Sequence, residues 1–283
     1  MPLQALTTSV FCLERLEVYA THKPFEVRVE RPNEAGDLGP QTNLRTEERG
    51  GIAVEDVRHR KHSLSFEKNG FFVLDIDVNM APEEFEDKQA IEEKYLPVVA
   101  ETLSRRLGAE RIQIHDYLVR KSNETFPFST GQPSRYEPPA MVLHIDTTPS
   151  ATKELVANLN GSITADTMSK MRYQYITLWR PLRGPVKRWP MALCDNTTVN
   201  AERDLAAKDM VYWDRVVETF QVYFSESYKF YYLSDQMPNE AWVMLQSDSQ
   251  GLTGVPHSSF VNPEVLDKDP QRESIEVRMF VYY

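Results

Sequence analysis

From Arg172 to Tyr283 the apolar positions fall in short runs: RYQYITLWRPL, TFQVYFSESYKFYYL, AWVMLQSD and ESIEVRMFVYY. Prolines and turn residues part each run from the next. Runs of this length, rich in aromatic and β-branched residues, are strand signals. The first half reads differently. Ile91, Tyr95, Val99, Leu103 and Leu107 recur every four residues and mark one buried helical stripe. Pro82 suits its first turn, Glu83, Glu84 and Glu86 complement the dipole there, and Gly108 can end it. Pro97 should kink the helix or split it in two. Upstream, Asn69-Gly70 lies between strand-like runs in HSLSFEKNGFFVLDIDV, which predicts a two-residue hairpin. Residues 31–51 read as a long polar loop. RIQIHDYLVR reads as a strand, and residues 121–139 as a proline-rich loop of the length used for lids, expected to order when substrate binds. Thr148-Pro149 should start a short helix with Leu155 and Leu159 on one face. Late strands after an early helical layer predict a mainly β fold with a helical layer (α+β), a β-sandwich or jelly roll braced by N-terminal helices. Helices do not alternate with the late strands, so a parallel α/β sheet is disfavoured.

The candidate chemistry starts in LHIDTTPS, residues 143–150. On a strand, residues i and i+2 share a face, so His144 and Asp146 point one way and Leu143 and Ile145 the other. Alone, His-x-Asp is weak: it serves equally as a hydrogen-bonded pair at a strand end. A third group comes from GVPHSSF, which supplies His257 in the late β-rich region. Two histidines and a carboxylate form the facial triad of non-haem Fe(II) oxygenases, with open coordination positions for a 2-oxo acid and O₂. Downstream, Arg272 and Ser274 share a strand face, and a guanidinium with a hydroxyl suits the distant carboxylate of 2-oxoglutarate. A zinc hydrolase could use the same three ligands; the Arg-x-Ser pair favours iron. The bland alternative is that Arg272, Glu276 and Arg278 alternate along a solvated, ion-paired strand face. His59 and His62 lie in a charged stretch, His22 in a polar turn, and His115 and Asp116 are adjacent and so should face opposite sides. No G-x-S-x-G, P-loop or dinucleotide glycine pattern is present.

Composition narrows the partners. With 32 basic against 42 acidic residues, the net charge of −10 argues against nucleic acid and anionic membranes. An anionic small molecule would need a local basic pocket. Cys12 and Cys194 imply no disulfide framework. No run approaches the roughly 20 apolar residues of a membrane span, and Glu14 and Glu17 interrupt the N-terminal segment, so the expectation is a soluble cytoplasmic protein. A small-molecule substrate is the expected partner, with a homodimer open as the assembly.

LHIDTTPS, TLWRPLRGPVKRWPMALCD, SDSQGLTGVPHSSFVNPE and PQRESIEVR together resemble the AsaB-like hydroxylase/desaturase family of secondary metabolism. The upstream VEDVR, NGFFVL and EEFEDKQAIEEKYLPVVAETLSRRLGA, and the strand ending at Arg120, extend the likeness from about residue 50 to the C-terminus. The resemblance implies a double-stranded β-helix (jelly-roll, cupin-like) Fe(II)/2-oxoglutarate-dependent dioxygenase that hydroxylates or desaturates a small natural product. It implies His144, Asp146 and His257 at the metal, the Arg272 region at the co-substrate, and no catalytic group beyond the ligands. The whole chain, 1–283, is then one oxygenase domain: 1–120 packs on a core at 140–283. Two departures stand out. Thr177 occupies a position where relatives often have Asn, and Gln246 and Ser247 precede Asp248-Ser249 where they commonly carry Lys. Thr177, Trp179, Arg180, Arg120, Phe126 and Phe128 are candidates for the substrate or co-substrate pocket, with Trp189 a further aromatic. Arg180 serves equally as a structural arginine paired with a carboxylate such as Asp195. Rival readings are a redox-neutral isomerase or cyclase on the same scaffold, and a non-catalytic jelly-roll binding module.

Overall fold

The structure is a computed structural model that describes residues 5–29, 39–128 and 135–283. Its strands run in chain order as β1 (Ala5–Leu13), β2 (Phe25–Val27), β3 (Thr46–Asp56), β4 (Phe71–Asp75), β5 (Arg111–Lys121), β6 (His144–Ile145) and β7 (Tyr173–Pro181). They continue as β8 (Met191–Cys194), β9 (Leu205–Val211), β10 (Val216–Val222), β11 (Phe230–Tyr232), β12 (Glu240–Asp248), β13 (His257–Ser259) and β14 (Glu273–Tyr282). Nine form one sheet, in the order β1-β3-β11-β8-β13-β6-β10-β9-β2, and five form a second, β4-β12-β7-β14-β5. Pairing is antiparallel except for β11 with β3 and β2 with β9. The fold is mainly β with few helices, and a jelly-roll core fits it. Strands from the N-terminal third complete both sheets.

Every residue of β7 is buried, because each face of the strand is covered. Strand alternation sorts the faces. Ile176 and Leu178 meet a large core that includes Tyr95, Val99 and Leu103 of the helical stripe, with Val277 and Met279 of β14. On the opposite parity, Tyr175 packs with Phe280, Tyr282 and Val156. After a single turn, α1 (Phe66–Asn69), that leads into β4, the stripe is built as a series: a 3₁₀ turn at Pro82–Glu86, α2 (Lys88–Ala90), a π turn at Ile91–Tyr95, and α3 (Leu96–Leu107). Pro97 lies in the first turn of α3, where a missing N–H costs nothing, and Gly108 closes it at φ +64.

Three sequence expectations need correction. Asn69-Gly70 makes no hairpin. Gly70, at φ +83, is the left-handed C-cap of α1, its N–H donating to the Phe66 carbonyl before the chain enters β4. A left-handed residue serves a cap as well as a turn, and pattern alone cannot separate the two. The 31–51 loop ends early, because β3 starts at Thr46; residues 30–38 lie outside the described residues. The helix after Thr148 is long, α4 (Pro149–Lys170). Of the 121–139 loop, residues 129–134 lie outside the described residues, and so does the loop's expected ordering on substrate.

Candidate metal and co-substrate site

β6 is two residues long, wedged between β13 and β10. His257 of β13 stands directly opposite His144 of β6, so the two imidazoles are cross-strand neighbours with ring centroids 4.4 Å apart. Asp146 follows the end of β6 on the same side. Its Oδ1 is 3.5 Å from His144 Nε2 and 3.7 Å from His257 Nε2, and the three potential ligand atoms all lie within 4.8 Å of one another. Each Nδ1 faces a backbone carbonyl two residues upstream: Val142 O at 2.8 Å from His144, and Val255 O at 3.0 Å from His257. Donating both Nδ1–H groups to carbonyls leaves both Nε2 lone pairs aimed at one point, the tautomer a metal requires. Burial and His144 push the His257 imidazole down to about 4, so it is neutral and ready to ligate. Burial alone would raise the Asp146 carboxyl; the Arg278 guanidinium holds it well below the usual carboxylate range. The triad is positioned to bind iron.

The far oxygen of Asp146 is fixed by residues from the facing sheet. Thr177 Oγ1 donates to Oδ2 at 2.7 Å, and Arg278 Nε lies 3.5 Å from the same atom. The Asp146 N–H donates to Gln246 Oε1 at 2.9 Å. Both positions where the chain departs from the resembled family therefore touch Asp146, Thr177 at its carboxylate and Gln246 at its backbone N–H. Gln246 reaches it through a bulge: Leu245 opposes Ile176 and Ser247 opposes Tyr175, leaving Gln246 as the extra residue. A second bulge, in β5, leaves His115 unopposed between Ile114 and Asp116. Both His115 and Asp116 consequently line the cavity, contrary to simple alternation. His115 Nδ1 is 3.0 Å from the Tyr175 hydroxyl, and burial lowers its pKa.

Arg272 and Ser274 follow the same parity as Glu276 and Arg278. This row faces into the molecule: all but Arg278 are buried, and Glu276 bonds Arg120 and Arg278. The reading of β14 as a solvated surface is thereby excluded. Arg272 Nη1 donates to Ser259 Oγ and to the Trp189 carbonyl, both at 2.6 Å, and its guanidinium lies 5.4 Å from the Trp179 ring centre. Trp189 holds φ at 55, a strained value for a non-glycine, which belongs to the turn presenting that carbonyl. Ser259 is two residues beyond His257 on β13, so Arg272 anchors about 7 Å along the strand from a metal ligand. Arg272 Nε and Ser274 Oγ are buried without a hydrogen-bond partner, and Arg272 makes no carboxylate contact among the described residues. Burial and Arg120 push its guanidinium down to about 9, against the pull of Glu276. A buried guanidinium with a free Nε and no carboxylate contact, beside a buried hydroxyl without a partner, suits an incoming carboxylate.

The remaining pocket candidates divide. Arg120 lines a cavity of about 1130 Å³ between the sheets, into which His144, Asp146, Tyr175 and Arg278 also open. Phe126 packs edge-on against Trp189 at 4.7 Å, behind Arg272, and Phe128 is 80% exposed. Arg180 has the opposite parity to Thr177 and Trp179. It donates to the Pro238 carbonyl and lies 5.2 Å and 5.1 Å from the Phe85 and Tyr95 ring centres, on the helical side. Asp195 is bonded instead by Asn69 and Thr197.

The sequence profile of a family described as an oxidoreductase/YMDC permease-like domain matches residues 16–282. The chain belongs to this family. Despite the description, no helix among the described residues is long and apolar enough to cross a membrane. The Fe(II)/2-oxoglutarate-dependent dioxygenase nvfI of Aspergillus novofumigatus is 32% identical over 244 residues, covering 82% of each chain. The hydroxylase/desaturase efuI of Hormonema carpetanum is 27% identical, over 82% of this chain and 83% of its own. A solved structure of the iron and alpha-ketoglutarate-dependent endoperoxidase NvfI superposes with a TM-score of 0.84 at 26% identity, covering 98% of both chains. The family's relatives and structural neighbours are thus Fe(II)/2-oxoglutarate-dependent oxygenases of fungal secondary metabolism.

Proposed function

We propose that this chain is an Fe(II)/2-oxoglutarate-dependent dioxygenase that hydroxylates or desaturates a small natural product, of the AsaB-like type. The observation that carries the reading is the adjacency of two sites: the His144, Asp146 and His257 triad, and Arg272 and Ser274, whose Nε and Oγ are buried without a hydrogen-bond partner and whose guanidinium is anchored on Ser259, two residues beyond His257. In this reading the triad holds Fe(II), and Arg272 and Ser274 clamp the far carboxylate of 2-oxoglutarate by charge-assisted hydrogen bonds. When bound, iron and co-substrate supply the oxidising chemistry, reducing O₂ as 2-oxoglutarate is decarboxylated to succinate and removing hydrogen from the substrate. The protein's own work is placement. Thr177 and Arg278 hold Asp146 by its second oxygen, Trp179 and Trp189 box the Arg272 head, and the cavity lined by Tyr175 and Arg120 positions the C–H bond. Residues 1–283 act as one oxygenase domain, a jelly roll braced by the 82–107 segment.

The test is substrate-independent turnover. Purified protein with Fe(II), ascorbate, O₂ and 2-oxoglutarate should form succinate slowly, with formation lost on iron chelation and reduced at least about 100-fold in His257→Ala. Succinate no higher than in a buffer control with the same iron would overturn the proposal.

A further inference from the structure

The wall of the cavity beyond the metal carries a polar row that the metal and co-substrate do not use. Register fixes it. His144 stands opposite Gln221 of β10, and Thr219, two residues along, stands opposite Lys208 of β9. Cross-strand partners share a face, so His144, Gln221, Thr219 and Lys208 all point into the space between the sheets, and all four line the cavity. Two strands across and two residues along place Lys208 about 12 Å from His144, backbone to backbone.

Lys208 and Thr219 are 5% and 6% exposed. The Thr219 hydroxyl is buried with no hydrogen-bond partner. The Lys208 ammonium has Glu26 at 3.3 Å, but that carboxylate is shared with Arg28 at 2.8 Å. Asp209 and Glu218 also line the cavity but are both bonded to Lys23, so the charged groups that act on Lys208 are Glu26 and Arg28, which leaves two cations against one carboxylate. In a chain of net charge −10, a buried lysine and a buried, partnerless hydroxyl side by side form a local site for an anionic oxygen.

We propose that Lys208 and Thr219 form the substrate anchor: they bind an acidic oxygen function, a carboxylate or enolate, of a substrate whose reacting carbon lies near the triad. The role rests on the oxygenase reading and deepens it by naming the substrate class. Lys208 and Thr219 are positioning residues, remote from the bond that breaks.

The probe is a matched pair, dehydroabietate and its neutral primary amide, titrated by calorimetry into the full-length protein free of metal and 2-oxoglutarate. Wild type should bind the acid at least about tenfold tighter than the amide. Lys208→Met should erase that preference, and Thr219→Val, a near-isosteric change that keeps the fold, should reduce it about threefold. Equal affinities, no binding of either probe by wild type, or a preference that survives in both variants would overturn the anchor. The absorption of the Fe(II)–2-oxoglutarate complex, measured separately, should be the same in Lys208→Met and wild type. Its absence from wild type would sink the oxygenase reading while the acid preference is judged on its own.

Discussion

Among single residues, one carboxylate does two jobs. Asp146 offers Oδ1 to the point where the imidazoles converge and has Oδ2 tied down by Thr177 and Arg278. Groups behind metal ligands orient them and typically govern about 10–100-fold in metal affinity. Thr177→Val keeps the shape and deletes the donor, so Co(II) affinity, read from its visible d–d bands, should fall about tenfold. Unchanged affinity would show that Arg278 alone holds Asp146. The shared facing of His144 and Asp146, and of Arg272 and Ser274, could be read from the sequence because strand alternation puts i and i+2 on one face. Arg278, Gln246 and His115 could not. Arg278 carries the same residue type on a surface or in a core, and only the facing sheet decides which; the other two owe their aim to bulges, which insert a residue without a sequence mark.

Between elements, close approaches set what the chain can vary. A Cβ added at Gly70 would lie 2.6 Å from Asn196 Cγ and 2.7 Å from Val255 Cγ2, at a φ that side chains avoid. Gly70→Ala should destabilise the fold by at least about 2 kcal/mol in urea unfolding, from the backbone and the clash together; a loss under half of that would mean the cap relaxes freely. Glu240, at the start of β12, binds Arg58 and Lys61 of the 3₁₀ segment at Arg58–Ser63 and the Met237 N–H. Burial alone would raise its pKa, but these partners lower it. A depressed carboxylate contributes stability above its unfolded pKa of about 4.3, and loses it as pH falls through the folded value. Glu240→Gln should therefore cost about 1–2 kcal/mol at pH 7, discounted for the half-exposed Arg58, and the gap to wild type should close by about pH 3. A gap of constant size across that range would assign the loss to packing.

Across the whole molecule, two sheets must meet correctly for the site to exist: the triad is built from the nine-stranded sheet, while Thr177, Arg278 and Arg272 come from the five-stranded one. The late strands were legible because prolines punctuate them. β1, β3 and β9 were not, since their polar, half-exposed faces at the sheet margins lack the apolar runs that announce a strand. A site that forms only on folding links metal to stability. Co(II) at about 100 times its dissociation constant should add about 2.7 kcal/mol and raise Tm by about 4–5 °C. His257→Ala should show no rise; an equal rise in that variant would place the metal elsewhere.

In the proposed site His257 holds the metal and Arg272 the far carboxylate of 2-oxoglutarate. This arrangement is tested most directly by anaerobic titration of the protein with Fe(II) and 2-oxoglutarate, following the weak visible charge-transfer band of the chelate. The band should form in wild type, be absent in His257→Ala, and require at least about tenfold more 2-oxoglutarate in Arg272→Ala. A folded, iron-loaded wild type that shows no band, or an Arg272→Ala protein that binds the co-substrate as tightly as wild type, would contradict it.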